Sequence, residues 1–372
     1  MSNTHPDFAE RLLAWFDQHG RKDLPWQHPR EPYRVWLSEI MLQQTQVATV
    51  IPYFHRFLQR FPTVQALAAA PIDDVLQLWA GLGYYARARN LHRCAQAVVE
   101  LHGGSWPRDI DAMIALPGIG RSTAAAILSQ AFGDRHAILD GNVKRVLARH
   151  AGIDGWPGLP AVQHKLWRIA ESLLPQAPLA ARMADYTQAI MDLGAQLCSS
   201  RKPACPRCPV SEDCVALRES RVSELPAAKP RKARPQRQAW LLLVENARGE
   251  LLMERRPPSG IWGGLWCPPT VEHGADWRAT LAERYGLSAG EAQALSPVHH
   301  GFTHYDLELL PLRLRARPDT AGRIADASAA WITMRDSAAL PGLPAPVRKL
   351  FDAAYFSTPD LLSSPCPEPS TA

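Results

Sequence analysis

The segment Leu116-Pro117-Gly118-Ile119-Gly120-Arg121-Ser122-Thr123 runs into an alanine-rich apolar stretch and then into Leu139-Asp140-Gly141-Asn142-Val143-Lys144-Arg145. Glycines on both sides of Ile119 let the backbone turn tightly and aim several N–H groups at one point at the start of a helix, which makes a cradle for phosphate. Asp140 stands just ahead of a second helix that carries Lys144 and Arg145. A carboxylate beside a phosphate-gripping hairpin suits chemistry on a nucleic-acid sugar. A second acid, Glu39, sits in Val35-Trp36-Leu37-Ser38-Glu39-Ile40-Met41-Leu42. Crowding by Trp36, Ile40 and Leu42 would desolvate its carboxyl and favour the neutral, proton-donating form. Two carboxyls in unlike surroundings can share the cleavage of a glycosidic bond: one protonates the leaving group and the other faces the developing oxocarbenium ion. Taken singly, the glycine turn also reads as a structural helix cap and Glu39 as a solvated helix residue. The combination is what points to catalysis.

Four of the seven cysteines fall in one short loop, Cys198-x6-Cys205-x2-Cys208-x5-Cys214. Four thiolates so spaced suit a single tetrathiolate centre, either zinc or a cubane iron–sulfur cluster. Met1 to Arg11 contains no basic stretch with an apolar core behind it, so no secretory signal is expected and the compartment is read as reducing and cytoplasmic. Disulfides are disfavoured there. No apolar run approaches the length of a membrane span, and no membrane partner is expected. A formal net charge of +5 suits a polyanionic partner.

At 372 residues the chain is too long for one ordinary core, so the elements that hold these groups should belong to more than one domain. Residues 8–217 read as a run of helices, with Trp36, Ile40, Val47, Ile51, Phe54 and Phe57 at helical spacing and Pro62, Pro71, Pro107, Pro157 and Pro175 at the boundaries. Helical pattern also covers 120–132, 142–151, 162–174 and 181–197. The composition changes after Cys214. Residues 226–237 hold prolines and bases without an acid or a large apolar side chain, which is an exposed linker able to follow a phosphate backbone. Beyond it, Trp240–Val244 and Leu251–Glu254 flank Asn-Ala-Arg-Gly, a hairpin signal. Further strand-like runs at Tyr305–Leu314 and Ala330–Thr333, and helical stretches near 275–285 and 345–355, make this part mixed α/β.

The hairpin, the Leu-Asp-Gly-Asn-Val segment and the trailing cysteine loop together resemble the endonuclease III branch of the helix-hairpin-helix DNA glycosylases. Ser-Glu-Ile-Met-Leu-Gln-Gln-Thr-Gln-Val at residues 38–47 and the C-terminal part are similar to the MutY-type members of that branch, in matched order over about residues 8–355. The resemblance implies a multidomain fold. An all-α helix-hairpin-helix glycosylase domain over 1–217, with a cysteine loop at 198–214 holding one [4Fe–4S] cluster on Cys198, Cys205, Cys208 and Cys214, would be followed by a basic Pro-rich linker over 218–238. An α/β Nudix-like lesion-recognition domain over 239–356 and a disordered tail over 357–372 would complete it.

It also implies an enzyme of base excision repair that hydrolyses the glycosidic bond of adenine opposite 8-oxoguanine or guanine in double-stranded DNA and leaves an abasic site. Such a protein would act as a monomer, in the cytoplasm, on the nucleoid in a bacterium. Glu39 and Asp140 would be catalytic, supported by Asn142 and Ser122. Trp26 and Gln188 would line the adenine pocket. Gly118, Gly120, Gln44, Thr45, Leu82, Tyr84 and Lys144 would contact DNA, with Tyr84 wedging the stack. Phe302, Thr303 and His304 would check the lesion. Bifunctional relatives carry a lysine nucleophile where this chain has Ser122, and a hydroxyl forms no Schiff base. Nudix hydrolases hold magnesium on a helix dense in glutamate; the matching stretch, 277–286, has Glu283 alone, which implies recognition without pyrophosphate chemistry.

Overall fold

The computed structural model describes residues 7–230, 233–257, 260–302, 304–317, 324, 326, 328–334 and 340–356. Thr303 and the tail from 357, both singled out above, lie outside the described residues. Two compact units emerge, one from residues before 76 with 86–232 and the other from 76–85 with residues from 233 onward.

Helices come first, as their periodicity requires: α1 (Phe8–His19), α2 (Pro32–Leu42), α3 (Val47–Arg60), α4 (Val64–Ala69), α5 (Ile72–Trp79), α6 (Ala86–His102), α7 (Ile110–Ile114), α8 (Arg121–Ile127), α9 (Gly141–His150), α10 (Pro160–Ser172), α11 (Met183–Asp192) and α12 (Val215–Arg218). Local chemistry sets several starts. Asp7 accepts from the Glu10 amide at 2.8 Å while Glu10 accepts from the Asp7 amide at 3.0 Å, and this reciprocal cap stabilises α1 by about 1 kcal/mol. Pro32 opens α2, where a missing N–H removes no helix bond.

Between α7 and α8 the two glycines behave differently. Gly118 has φ +79°, and a Cβ there would lie 2.7 Å from Asn90 Cβ, so the turn itself demands glycine. Gly120 has φ −95°, and a Cβ would meet nothing of the chain within 4 Å. Neither the backbone angle nor the packing of the chain therefore demands glycine at 120. The expected single helix over 120–132 is α8 followed by one π-helical turn, Leu128–Phe132, closed by Gly133 at φ +74°. Such turns re-aim side chains and occur often at functional sites. One apolar core joins α1 (Leu12, Phe16), α9 (Val143, Leu147), α10 (Leu166) and α11 (Ala189, Ile190), which fixes α9 and α11 against each other.

The second unit contains a mixed sheet: β1 (Gln236–Glu245), β2 (Glu250–Arg255), β3 (Trp266–Cys267), β4 (Thr270–Glu272), β5 (Gln293–Ala294), β6 (Val298–Gly301), β7 (Asp306–Arg315) and β8 (Ala329–Thr333), with α13 (Trp277–Tyr285) and α14 (Ala345–Phe351). The order β3-β2-β1-β7-β5 carries β4 on β1, β6 on β7 and β8 on β2. The β1–β2 hairpin turns at Asn246, whose side chain accepts from the Arg248 and Glu250 amides at 2.9 and 3.0 Å. β1 and β7 run parallel, from Gln236 opposite Asp306 to Glu245 opposite Arg315. Leu242, Val244 and Leu252 meet Trp277, Leu281 and Tyr285 of α13 to form the core of this unit. Among the described residues, no helix is long and apolar enough to cross a membrane.

Candidate active site

Glu39 lies on α2, one turn beyond fully buried Trp36, and Gln130 of the π turn donates from Nε2 to its Oε1 at 3.1 Å. Burial, and secondly the negative charge of Asp140, push the Glu39 carboxyl up from 4.5 to about 7; the Gln130 hydrogen bond pulls the other way. That coupling puts Glu39 and Asp140, 101 positions apart in the chain, within electrostatic reach of each other. A carboxyl balanced near neutrality can both give and take a proton at working pH.

Asp140 is fixed as the N-cap of α9. Its Oδ1 accepts from the Val143 amide at 2.8 Å and its Oδ2 from Asn142 Nδ2 at 3.3 Å. Ser122, in the first turn of α8, accepts from the Leu139 amide at 2.9 Å and so anchors the residue next to Asp140. Asn142 Oδ1 in turn accepts from Arg145 at 2.9 Å, while the same guanidinium donates to the Cys198 and Gly194 carbonyls, each at 2.7 Å. Glycine at 194 is required for this packing, because a Cβ would sit 2.6 Å from Asn142 Cβ. A continuous polar chain therefore runs from the Asp140 carboxylate to the first cysteine of the loop. Lys144, one turn past Asp140, is half-buried.

Cys198, Cys205, Cys208 and Cys214 line one cavity, otherwise walled by side chains such as Val146, Leu193 and Val210. Burial pushes the Cys208 thiol up to about 11, with the other three cysteines adding to the rise, and also raises Cys214. A metal cation bound among them would favour the thiolate form. Arg149, 3% exposed, donates to Cys198 Sγ at 3.4 Å and to the Leu225 and Ser199 carbonyls at 2.7 Å each. A single zinc would draw its ligand sulfurs to about 2.3 Å from one point. Among the described residues, no three His, Cys, Asp or Glu side chains are grouped so as to hold a metal ion. Arg201, Lys202 and Arg207 are exposed along the same loop.

The remaining expected residues are placed as follows. Trp26 is 2% exposed and packs edge-on to Phe54 with ring centroids 5.4 Å apart. Gln188 of α11 is 3% exposed and donates to Asp192 at 2.8 Å. Gln44 is exposed at φ +57°, and Thr45 Oγ1 accepts from Arg87 at 3.2 Å. Arg87 also donates to the carbonyls of Ile40, Met41 and Gln43, which clamps the turn after α2. Leu82 is buried, whereas Tyr84 is 48% exposed at φ +50°. In the second unit Phe302 lies among the rings of Trp262, His300 and Tyr305, with His304 exposed. On α13, Glu283 is exposed, and Tyr285 donates to buried Glu254 at 2.6 Å.

Residues that the sequence did not single out are Gln130, Arg149, Asp192 and Gly194. Gln130 had one local signal, a polar side chain inside an apolar run. The other three act on groups some 50 or more positions away or pack closely across helices, which leaves no local mark.

Residues 37–172 match the family model of the HhH-GPD superfamily of base excision DNA repair proteins, and residues 239–353 match that of the NUDIX domain. The adenine DNA glycosylase of Buchnera aphidicola subsp. Acyrthosiphon pisum (strain APS) is 36% identical, over 93% of this chain and 97% of that protein. The adenine DNA glycosylase of Homo sapiens is 36% identical, over 88% of this chain and 70% of that one. Among solved structures, a thermostable thymine-DNA glycosylase superposes with a TM-score of 0.51 at 30% identity, over 57% of this chain and 95% of that chain. With both domain models matched and a curated relative 36% identical over nearly its whole length, the chain belongs to the adenine DNA glycosylase family of base excision repair enzymes.

Proposed function

We propose that the protein hydrolyses the N-glycosidic bond of adenine opposite 8-oxoguanine or guanine in duplex DNA and leaves the strand intact. The observation that carries this reading is the unequal acid pair: Glu39, held near neutrality, coupled to an Asp140 fixed by Val143 and Asn142. An adenine inside the stack hides its glycosidic bond, so the nucleotide is extruded to meet these groups. Glu39 then protonates the ring at N7, which turns adenine into a neutral leaving group. Asp140 faces the cationic sugar, and Glu39, now a carboxylate, takes a proton from the attacking water. Trp26 and Gln188 contact the extruded base, and the amides at Gly118 and Gly120, with Lys144, face phosphate.

Monofunctional chemistry follows from Ser122. Its oxygen is engaged by the Leu139 amide, and no amine occupies its position to capture the sugar. Gln44, Thr45, Leu82 and Tyr84 are assigned to the gap beside the lesion, and Phe302, Thr303 and His304 to checking it. The single exposed Glu283 on α13 supports a recognition role for the second unit. Cys198, Cys205, Cys208 and Cys214 would hold one [4Fe–4S] cluster, whose bonds to the four sulfurs would order the loop bearing Arg201, Lys202 and Arg207. The protein is read as a monomer working on cytoplasmic DNA.

The reading is tested with a duplex containing one adenine·8-oxoguanine pair, treated with and without hot alkali after incubation. Strand breakage only after alkali is expected. Breakage without alkali would show a lyase, and no breakage under either condition would refute the activity.

A further inference from the structure

Asp192 is the most completely buried acid near the site, with no exposed side-chain surface. Its carboxylate forms an ion pair with Arg21, accepting from the Arg21 amide at 2.8 Å, from Nε at 2.9 Å and from a terminal guanidinium nitrogen at 2.6 Å. The fourth donor is Gln188 Nε2, at 2.8 Å, one helical turn earlier on α11. Arg21 follows α1, and its own carbonyl accepts from Gln27 at 3.0 Å, so the arginine is held from both sides.

An ionised carboxylate only accepts hydrogen bonds. Beside Asp192, the Gln188 amide can therefore adopt one orientation, with its NH2 toward the acid. The reverse orientation would bring two oxygens together at hydrogen-bond distance inside a desolvated site, a repulsion that nothing there relieves. Gln188 Oε1 is left pointing away from Asp192 as an acceptor. α11 packs against the π turn that carries Gln130, the partner of Glu39.

We propose that Asp192, paired with Arg21, is a positioning residue that locks Gln188 as a hydrogen-bond acceptor and thereby selects an amino-purine over a keto-purine in the base pocket. Adenine donates from its exocyclic amine. Hypoxanthine presents a carbonyl oxygen at the same place, which would face Gln188 Oε1 with no proton between them. A site built around one such polar match rejects the mismatched analogue far more strongly than it rejects a change of size. The inference rests on the proposed adenine excision and specifies how the base is chosen.

The test compares kcat/KM for release of adenine and of hypoxanthine from otherwise identical duplexes with 8-oxoguanine opposite. The parent should favour adenine by about 100-fold or more. Asp192→Asn frees the Gln188 amide to turn, and the preference should fall about ten-fold or more, as it should in Gln188→Ala, where the ion pair is untouched. Adding Asp192→Asn to Gln188→Ala should then change the preference no further. If Asp192→Asn does not fold, the pair Arg21→Gln with Asp192→Asn removes both charges and is measured in the same way. An unchanged preference in these Asp192 variants, or an equal drop with and without Gln188, would overturn the lock and leave Asp192 a purely structural residue. Failure of the parent to release adenine would instead strike the proposed function.

Discussion

Replacing Gln130 by leucine removes a hydrogen bond that favours ionised Glu39. A hydrogen bond to a charged group contributes about 1.5–3 kcal/mol, and one pKa unit corresponds to about 1.4 kcal/mol. At 3.1 Å the bond belongs at the weak end of that range. Its loss should lift Glu39 from about 7 to about 8. Glu39 is proposed to act in its protonated form, so the rate falls as pH rises through its pKa. The alkaline limb of the variant should therefore lie about one pH unit above that of the parent. At pH 8 about a tenth of parent molecules and about half of variant molecules would carry the proton, a roughly five-fold gap that closes below pH 6. Single-turnover release of adenine across pH 5–9 measures it directly. An alkaline limb that stays in place, or moves to lower pH, would refute the assignment of Glu39 as the acid held by Gln130.

Ser122→Ala leaves the Leu139 amide without its side-chain acceptor, so stability should fall by about 1–3 kcal/mol, read from denaturant midpoints, and adenine release should slow as Asp140 loses its anchor. Glu39→Gln should alter the pH dependence of stability. Because the folded-state pKa is raised, Glu39 costs nothing below about 4.5, and the cost grows as pH rises and is complete above about 7. The variant should therefore melt higher than the parent at pH 8.5, by up to about 3 kcal/mol, with no gain near pH 4.5; equal melting at both would contradict the raised pKa. Purified protein should contain iron and inorganic sulfide in equal amounts and absorb broadly in the visible, whereas a colourless, zinc-containing sample would overturn the cluster.

The helices and the hairpin were legible because helical spacing, proline punctuation and Gly118 act over a few residues. The acid pair was legible as motif, with Glu39 in its apolar helix and Asp140 at a helix start. What surrounds it was not. Arg87 and Arg145 are both turned onto backbone carbonyls whose positions only the folded chain defines. The parallel register of β1 with β7 joins segments 70 residues apart and has no local signature. Gly120 carries the opposite lesson. Its sequence context matches Gly118, but its backbone needs no glycine, and only the built turn separates the two positions.

Glu39 is proposed to supply the proton that frees the base, with Asp140 facing the sugar. Measuring binding and single-turnover adenine release by Glu39→Gln on one adenine·8-oxoguanine duplex tests this most directly. Binding close to that of the parent with adenine release abolished is expected. Release at a rate near the parent's would contradict it.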